Sequence, residues 1–327
     1  MTNPAPREKI LALFAREPQG FVSGERISDA LGVSRTAVWK HIRSLRQAGY
    51  HIEAVPSRGY RLLQTADVLL PEAIQADLDS LRIGHRVICC AETASTNLQA
   101  NRLGEEGAAD GTVVIADRQT SGKGRMGRQW ISPPGVNLYA SILVRPAVLP
   151  QEAPKLTFLS AVAVCQTITE VTGLQATVKW PNDVLLDGRK VAGLLNEMSS
   201  ETDRVHYVVL GIGVNLNMRP EQFPEDLRYP ATSLAIANRA PVSRLEFTRT
   251  LLRTVDRLYQ RFLTEGGAPI LRAWTALCGM TNRSVVVDCP DRTIRGVMTG
   301  LAEDGALLIR TAAGKIEVVY AGDVRPA

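Results

Sequence analysis

Apolar residues along this chain change their spacing in a way that divides it into three parts. In residues 7–16, Ile10, Leu11, Leu13 and Phe14 recur at helical intervals. Ser23 can cap a second helix carrying Ile27, Ala30 and Leu31, with Glu25 and Arg26 in its first turn, and Gly32 breaks it. Ser34 caps a third, in which Val38, Ile42 and Leu45 share one face while Arg35, Lys40, Arg43 and Arg46 stay largely outside it; Gly49 ends that helix. Two short strands, 51–55 and 60–63, follow around the turn Pro56-Ser57-Arg58-Gly59. A helix, a glycine turn, a second helix opening on hydroxyl and basic residues, and then a hairpin predict a winged helix-turn-helix.

A linker and a short helix opened by Pro71 occupy 65–81. Beyond it the period alternates between strand and helix. Strands are predicted at 112–116, 137–144 and 207–210, and apolar-faced helices at 98–103, 156–171 and 243–263. The last of these puts Leu245, Leu252, Val255 and Leu258 inside. Short strands at 285–288, 293–301, 306–311 and 315–320, separated by glycine turns, predict a small C-terminal barrel of SH3-like character. The class is α/β (α+β).

Composition narrows the function. With 45% hydrophobic and 22% charged residues in 327, the chain reads as two or three globular domains. No apolar run reaches the roughly 20 residues of a membrane helix. The N-terminal stretch lacks a signal-peptide layout, so a soluble cytoplasmic protein is expected. The cysteines, Cys89, Cys90, Cys165, Cys278 and Cys289, are odd in number and form no C-x-x-C; buried reduced thiols are expected rather than zinc ligands or a disulfide frame.

Charge is unevenly placed. Residues 1–65 hold ten Lys/Arg against five Asp/Glu, whereas the rest of the chain holds twenty-eight of each. The whole net charge of +5 therefore lies in the first fifth, the part with the helix-turn-helix pattern, which points to a polyanionic partner. Ser34, Arg35, Thr36, Lys40 and Arg43 on the third helix, with Arg58 at the wing tip, are the DNA-binding candidates. A helical docking module with merely solvated charges is the alternative, but caps, turn, wing and charge agree on DNA.

The loop Ser121-Gly122-Lys123-Gly124-Arg125-Met126-Gly127-Arg128 contains G-x-G-x-x-G after the strand at 112–116. A dinucleotide turn also needs a helix starting in the glycines, and Pro133-Pro134-Gly135 excludes one. Lys123 is followed by Gly rather than Ser or Thr, so no Walker A pattern fits either. What remains is an inter-strand loop in which glycines admit a ligand closely and supply flexibility, and Lys123, Arg125 and Arg128 can neutralise phosphate or carboxylate oxygens. A second candidate is Val178-Lys179-Trp180-Pro181-Asn182-Asp183, whose Lys179 follows a β-branched run into an apolar setting. Gly211-Ile212-Gly213-Val214-Asn215 ends another strand with glycines that permit close approach. Ser95, Thr96 and Asn97 open the helix at 98–103 as polar ligand contacts or as its cap. Asn182 and Asp183 are open to ligand contact or to turn hydrogen bonds, and Trp130 by itself reads as a core or loop-anchoring aromatic. The sequence carries no Cys–His or Ser–His–Asp arrangement for covalent catalysis.

Taken in order, the winged module, S-T-N at 95–97, Gln119, G-K-G-R-M-G-R at 122–128, K-W-P-N-D at 179–183 and G-I-G-V-N at 211–215 resemble the bifunctional biotin–protein ligase and biotin operon repressor family. The resemblance spans nearly the whole chain. It implies a DNA-binding domain at 1–65, a catalytic domain at 66–277 with a mixed sheet related to class II synthetase-like folds, and an SH3-like domain at 278–327. It implies activation of biotin by ATP with Mg²⁺ to biotinoyl-5′-AMP, then transfer to a lysine of a biotin carboxyl carrier protein. It also implies operator binding as a homodimer with the adenylate as corepressor. Lys179 and Arg125 would be catalytic. Ser95, Thr96, Asn97, Gln119, Lys123, Gly124, Arg125 and Lys179 would meet biotin, and Arg125, Arg128, Trp130, Asn182 and Asn215 the nucleotide. No fixed protein metal site is implied, Mg²⁺ coming with ATP. Lys123 departs from the usual G-R-G-R, keeping the charge but not the planar fork of arginine. A lipoate-type ligase and a ligand-sensing regulator without catalysis are the alternatives.

Overall fold

The computed structural model describes residues 6–327 except 16, 18–19, 48–49, 65–66, 68, 77, 79–80 and 228. The expected helix stop at Gly49, Arg16 at the end of the first helix and parts of the 65–81 linker lie outside the described residues. Contacts divide the chain into two compact units, Met1–Ala73 and Ile74–Ala327.

The described part of the first unit includes the helices α1 (Pro6–Ala15), α2 (Gly24–Leu31) and α3 (Arg35–Gln47), and an antiparallel hairpin of β1 (His51–Val55) and β2 (Gly59–Gln64). The Ser23 hydroxyl caps α2 by accepting from the Arg26 N–H at 3.1 Å, and Gly32 ends it in the left-handed conformation at φ 66°. Ile10, Phe14, Ile27, Val38, Ile42 and Leu45 are among the side chains that close its core, each adding about 1.5–3 kcal/mol before chain entropy is subtracted. The hairpin is tied to the helical part by Val22 and Tyr60, which exchange backbone hydrogen bonds at 2.7 and 2.9 Å. Gly59 allows that approach: at φ 106° its added Cβ would stand 2.3 Å from the Val22 carbonyl oxygen.

A short helix, α4 (Pro71–Gln75), precedes a seven-stranded sheet. Its strands are β3 (Arg86–Thr93), β4 (Thr112–Gln119), β5 (Leu138–Val144), β6 (Thr177–Lys179), β7 (Asp183–Leu186), β8 (Arg189–Ser200) and β9 (Val205–Val214), in the order β3-β4-β5-β9-β8-β7-β6. The β3–β4 pair is parallel, joined through α5 (Thr96–Glu105), and every other pair is antiparallel. Helices cover both faces, which is why β9 reads as a nearly continuous apolar run. On one face α5 packs through Ala100 against Val114, Leu143, Tyr207 and Val209. Elsewhere α6 (Lys155–Thr172), buried almost all round, meets the sheet, α8 (Arg244–Glu265) and α9 (Ala268–Leu277); α7 (Leu234–Asn238) is a short turn of helix between.

The chain ends in a five-stranded antiparallel sheet of β10 (Ser284–Asp288), β11 (Thr293–Leu301), β12 (Leu307–Arg310), β13 (Ile316–Val319) and β14 (Asp323–Pro326), ordered β13-β12-β11-β10-β14. It packs on the β6–β7 hairpin, which turns through a cis Trp180–Pro181 bond. The Trp180 indole N–H donates to the Gly305 carbonyl at 3.3 Å, and Gly305 lies against the Phe158 ring.

Burial was expected for the five cysteines, but only Cys165 and Cys278 are buried. Cys89 and Cys90 are half-buried because β3 is an edge strand with one side unpaired. No described helix is long and apolar enough to cross a membrane.

Candidate active site

On the sheet face that carries α5, the register aligns Tyr139, Gly213 and Gly193 in one row and Ser141, Gly211 and Leu195 in the next. The three glycines hollow out the floor. A Cβ on Gly211 would stand 2.3 Å from Asn97 Oδ1, and one on Gly193 or Gly213 would meet the Trp130 indole at 2.8 or 2.7 Å. The hollow opens into a cavity of about 510 Å³, the size of a small-molecule site. Of the expected ligand residues, Ser95, Thr96, Asn97, Gln119, Lys123, Gly124, Arg125, Arg128, Trp130, Asn182 and Asn215 line it.

One end is polar and neutral. Ser95 occupies the cap position of α5, but its hydroxyl makes no capping bond, which removes the cap as its explanation. The Thr96 N–H donates to Gln119 Oε1 at 2.9 Å, and Gln119 Nε2 donates to Ser132 at 3.0 Å. Asn97 Nδ2 donates to the Leu195 carbonyl at 2.9 Å and to Glu197 at 2.7 Å, while Ser141 donates to Asn97 Oδ1 at 2.6 Å. Both amide protons of Asn97 are thus committed within the protein and its Oδ1 already accepts from Ser141, so it fixes the polar floor and has one oxygen lone pair left for a ligand.

The other end is cationic. Lys179 is not itself on the cavity wall; its ammonium lies behind it, 3.3 Å from Asp183 and 4.1 Å from the centre of the Tyr229 ring. Burial pulls its pKa below the usual lysine value, opposed by the charge and hydrogen bond of Asp183. Val178, Lys179 and Trp180 are all buried, which agrees with the apolar setting expected for Lys179. Asp183 also binds Lys190 at 2.6 Å, so one carboxylate joins two lysines across the β6–β7–β8 meander. Asn182 is no self-bonded turn residue: its Nδ2 donates to the Leu194 carbonyl at 2.6 Å and its Oδ1 faces Arg125 at 3.5 Å.

The glycine loop folds back on itself through backbone hydrogen bonds. Lys123 and Gln129 form a bridge, Gly124 N–H donates to the Arg128 carbonyl at 2.6 Å, and Trp130 N–H donates to Gly122 at 2.8 Å. Left-handed backbone occurs only at Met126 (φ 55°) and Gly127 (φ 74°), and Gly124 is extended at φ −111°. Gly122 is required for space, since a Cβ there would stand 2.5 Å from the Trp130 carbonyl. The glycines therefore shape a tight hairpin rather than loosen it. Lys123 is exposed at its rim. Burial lowers the Arg125 pKa, with Asp323 and Asp183 opposing. Arg128 forks onto Asp323 of β14, and that hydrogen bond raises its pKa. Trp130 covers the glycine floor with its Nε1 buried and without a hydrogen-bond partner among the described residues, 5.4 Å below the Lys190 ammonium. Asn215 is held by its own bond to the Thr232 carbonyl and by Asn137.

Sequence reasoning missed Lys190, Ser141, Glu197, Tyr229 and Asp323. Lys190 carried one readable signal, the Asp187-Gly188 turn that folds its strand back beside Asp183. Among the described residues no group of three or more His, Cys, Asp or Glu is placed to hold a metal ion.

A second cavity, about 820 Å³, lies across the loop and shares Lys123, Gly124, Arg125, Asn182, Leu194 and Leu195 with the first. Its rim carries the exposed side chains of Met126 and Tyr320.

In the first unit the Ser34 hydroxyl caps α3, accepting from the Ala37 N–H at 3.3 Å. Arg35, Thr36, Lys40 and Arg43 are exposed along α3, and Arg58 is exposed on the β1–β2 turn, stacked 4.2 Å from the centre of the Phe21 ring.

Residues 87–215 match the biotin/lipoate A/B protein ligase family, 6–61 an HTH domain and 282–325 the biotin protein ligase C terminal domain. The bifunctional ligase/repressor BirA of Bacillus subtilis is 39% identical over 97% of this chain and 98% of its own length. That of Escherichia coli is 34% identical over 92% and 91%. A biotin protein ligase from Aquifex aeolicus solved in complex with biotin and ATP superposes with a TM-score of 0.63 at 30% identity, covering 74% of this chain and 99% of that one. With an HTH unit, the ligase cavity and the C-terminal sheet in one chain, and relatives matched nearly end to end, this protein belongs to the bifunctional biotin ligase/repressor family.

Proposed function

We infer that the chain activates biotin with ATP to biotinoyl-5′-AMP, passes the biotinoyl group to a lysine of the biotin carboxyl carrier protein of acetyl-CoA carboxylase, and represses biotin biosynthesis from its N-terminal unit. The observation that carries the ligase reading is a cavity with a neutral polar floor at Ser95, Thr96 and Asn97 and a cationic wall at Arg125 and Arg128, backed by Lys179. A uncharged ring system with urea-like polarity suits the first end and a carboxylate meeting a phosphate suits the second.

In the first step the biotin carboxylate oxygen attacks the α-phosphorus and pyrophosphate leaves. Two anions must approach, so fixed cations lower the barrier by offsetting charge that would otherwise repel. Lys179 and Arg125 hold the carboxylate and α-phosphate oxygens together; Lys123 and Gly124 close the loop over biotin, and Gln119 orders its polar end. Arg128, Trp130, Asn182 and Asn215 hold the nucleotide. When bound with ATP, Mg²⁺ supplies further charge on the triphosphate. In the second step the neutral lysine amine attacks the acyl carbon and AMP leaves. The second cavity, sharing its wall with the first, is the side from which that amine can come.

The division at 1–65, 66–277 and 278–327, a cytoplasmic location, and dimerisation on operator DNA when the adenylate is bound belong to the same reading. A dimer would place two winged modules on a two-fold site. The test is an assay with biotin or lipoate, ATP, Mg²⁺ and a carrier domain. Biotin-dependent pyrophosphate release and carrier labelling are expected, both lost in Lys179→Ala with the fold intact. Labelling by that mutant at the normal rate would sink the assignment, preference for lipoate would move the chain to the lipoate class, and no turnover would leave a ligand-sensing regulator.

A further inference from the structure

Trp39 is 52% exposed on α3, the helix whose Val38, Ile42 and Leu45 face the core. It stands at i+4 from Arg35 and i−4 from Arg43, so the three form one row along the helix. The Arg43 guanidinium sits 5.5 Å from the centre of the indole. Thr36 and Lys40 are exposed beside the row, and α3 contains no acidic residue. An exposed tryptophan adds nothing to the core of its own unit, and its position between Arg43 and Arg35, the latter paired with Glu25 of α2 at 3.7 Å, suits a partner that is anionic outside and apolar within. A DNA major groove has that chemistry: phosphates at its edges and thymine methyl groups on its floor.

We propose that Trp39 is a specificity residue that packs on thymine 5-methyl groups of the operator, with Arg43 held by the indole toward the neighbouring phosphate. This rests on the repressor reading above and adds to it a base contact. Thr36 and Lys40 alone would bring hydrogen bonds and charge to the groove but no surface able to register a methyl group.

The experiment uses the full chain with biotin and ATP. Duplexes are selected from a random-sequence pool, and the selected site is resynthesised with deoxyuridine replacing thymine one position at a time, which removes only the methyl. Wild type is expected to lose about fourfold in affinity at one or two thymines per half-site, the effect of one methyl-sized group leaving an apolar contact. Trp39→Ala should bind the thymine duplex more weakly and be indifferent to uridine at those same positions, and Trp39→Phe should keep part of the discrimination. Its salt dependence should match wild type, whereas Arg43→Ala should lower the salt slope by about 1. Uridine tolerated by wild type at every position overturns the proposal while leaving the repressor reading intact. So does a Trp39→Ala loss that is equal on thymine and uridine duplexes, which would mark a protein contact. Failure of wild type to select any sequence would sink both.

Discussion

Asp183 is the residue on which the cationic wall turns, because one carboxylate holds the ammonium groups of Lys179 and Lys190 together. Converting it to asparagine would leave Lys179 buried without its counter-charge. A broken buried pair costs 3–5 kcal/mol; with Lys190 still 26% exposed to water, Asp183→Asn should cost about 3 kcal/mol in denaturant unfolding, the low end of that range. The lysine itself carries a pH signature. Its folded pKa lies below that of the unfolded chain, so between the two values the native state binds fewer protons and stability rises with pH. Activity runs the other way: pyrophosphate release should fall as pH rises through the depressed value, because the neutral amine no longer attracts the carboxylate. A Lys179→Arg enzyme with any residual rate should keep that rate to higher pH, and a profile identical to wild type would exclude Lys179 as the titrating group. Lys179 was legible because its flanking Trp180-Pro181-Asn182-Asp183 are contiguous. Asp323 was not, since its contact with Arg128 spans 195 positions and depends on how the C-terminal sheet docks.

At the scale of elements, the helices and central strands were readable wherever a single period ran long enough, as in α3, α6 and α8. The elements that escaped include β3, α7, α9 and β14. The helix α9 follows Gly266-Gly267 and takes Pro269 in its first turn, residues that punctuate a sequence as readily as they start a helix. The strand β14 is Asp-Val-Arg-Pro, with two charges and a proline, and owes its conformation to pairing with β10 rather than to propensity. The same dependence makes the Arg128–Asp323 clip informative, since it fastens the glycine loop to β14. Asp323→Ala should free Arg128 and hasten release of biotinoyl-AMP several-fold, read by displacement of the labelled adenylate; unchanged release would mean that the loop hairpin is self-sufficient. The wing offers a parallel case. Gly59→Ala drives a Cβ into the Val22 carbonyl oxygen and into a left-handed backbone that alanine resists. It should displace the hairpin and weaken operator binding while carrier labelling continues at the wild-type rate.

Across the whole molecule, the charge map and the contact map divide the chain at nearly the same place. The net charge lies in residues 1–65 and the compact units part at Ala73, so electrostatic attraction to DNA and the chemistry of the cavity reside on different units. Such a division permits independence but does not require it, because a ligand bound to one unit shifts the other whenever the two are linked through a shared equilibrium such as dimerisation. Two lesions distinguish these cases. Deleting residues 1–73 should abolish operator binding and spare adenylate formation, since the second unit retains its own sheet, helices and cavity. Lys179→Ala leaves the winged unit untouched, yet it should lose the gain in operator affinity that biotin and ATP give wild type, because the gain requires the adenylate rather than either substrate. Supplying preformed biotinoyl-AMP should restore it, less the affinity Lys179 contributes to that ligand. Gel-shift titrations of wild type and mutant, with substrates and then with the adenylate, separate the outcomes. Full operator affinity in Lys179→Ala with biotin and ATP alone would show that DNA binding is indifferent to the chemistry of the second unit, and the dimerisation linkage would have to be abandoned.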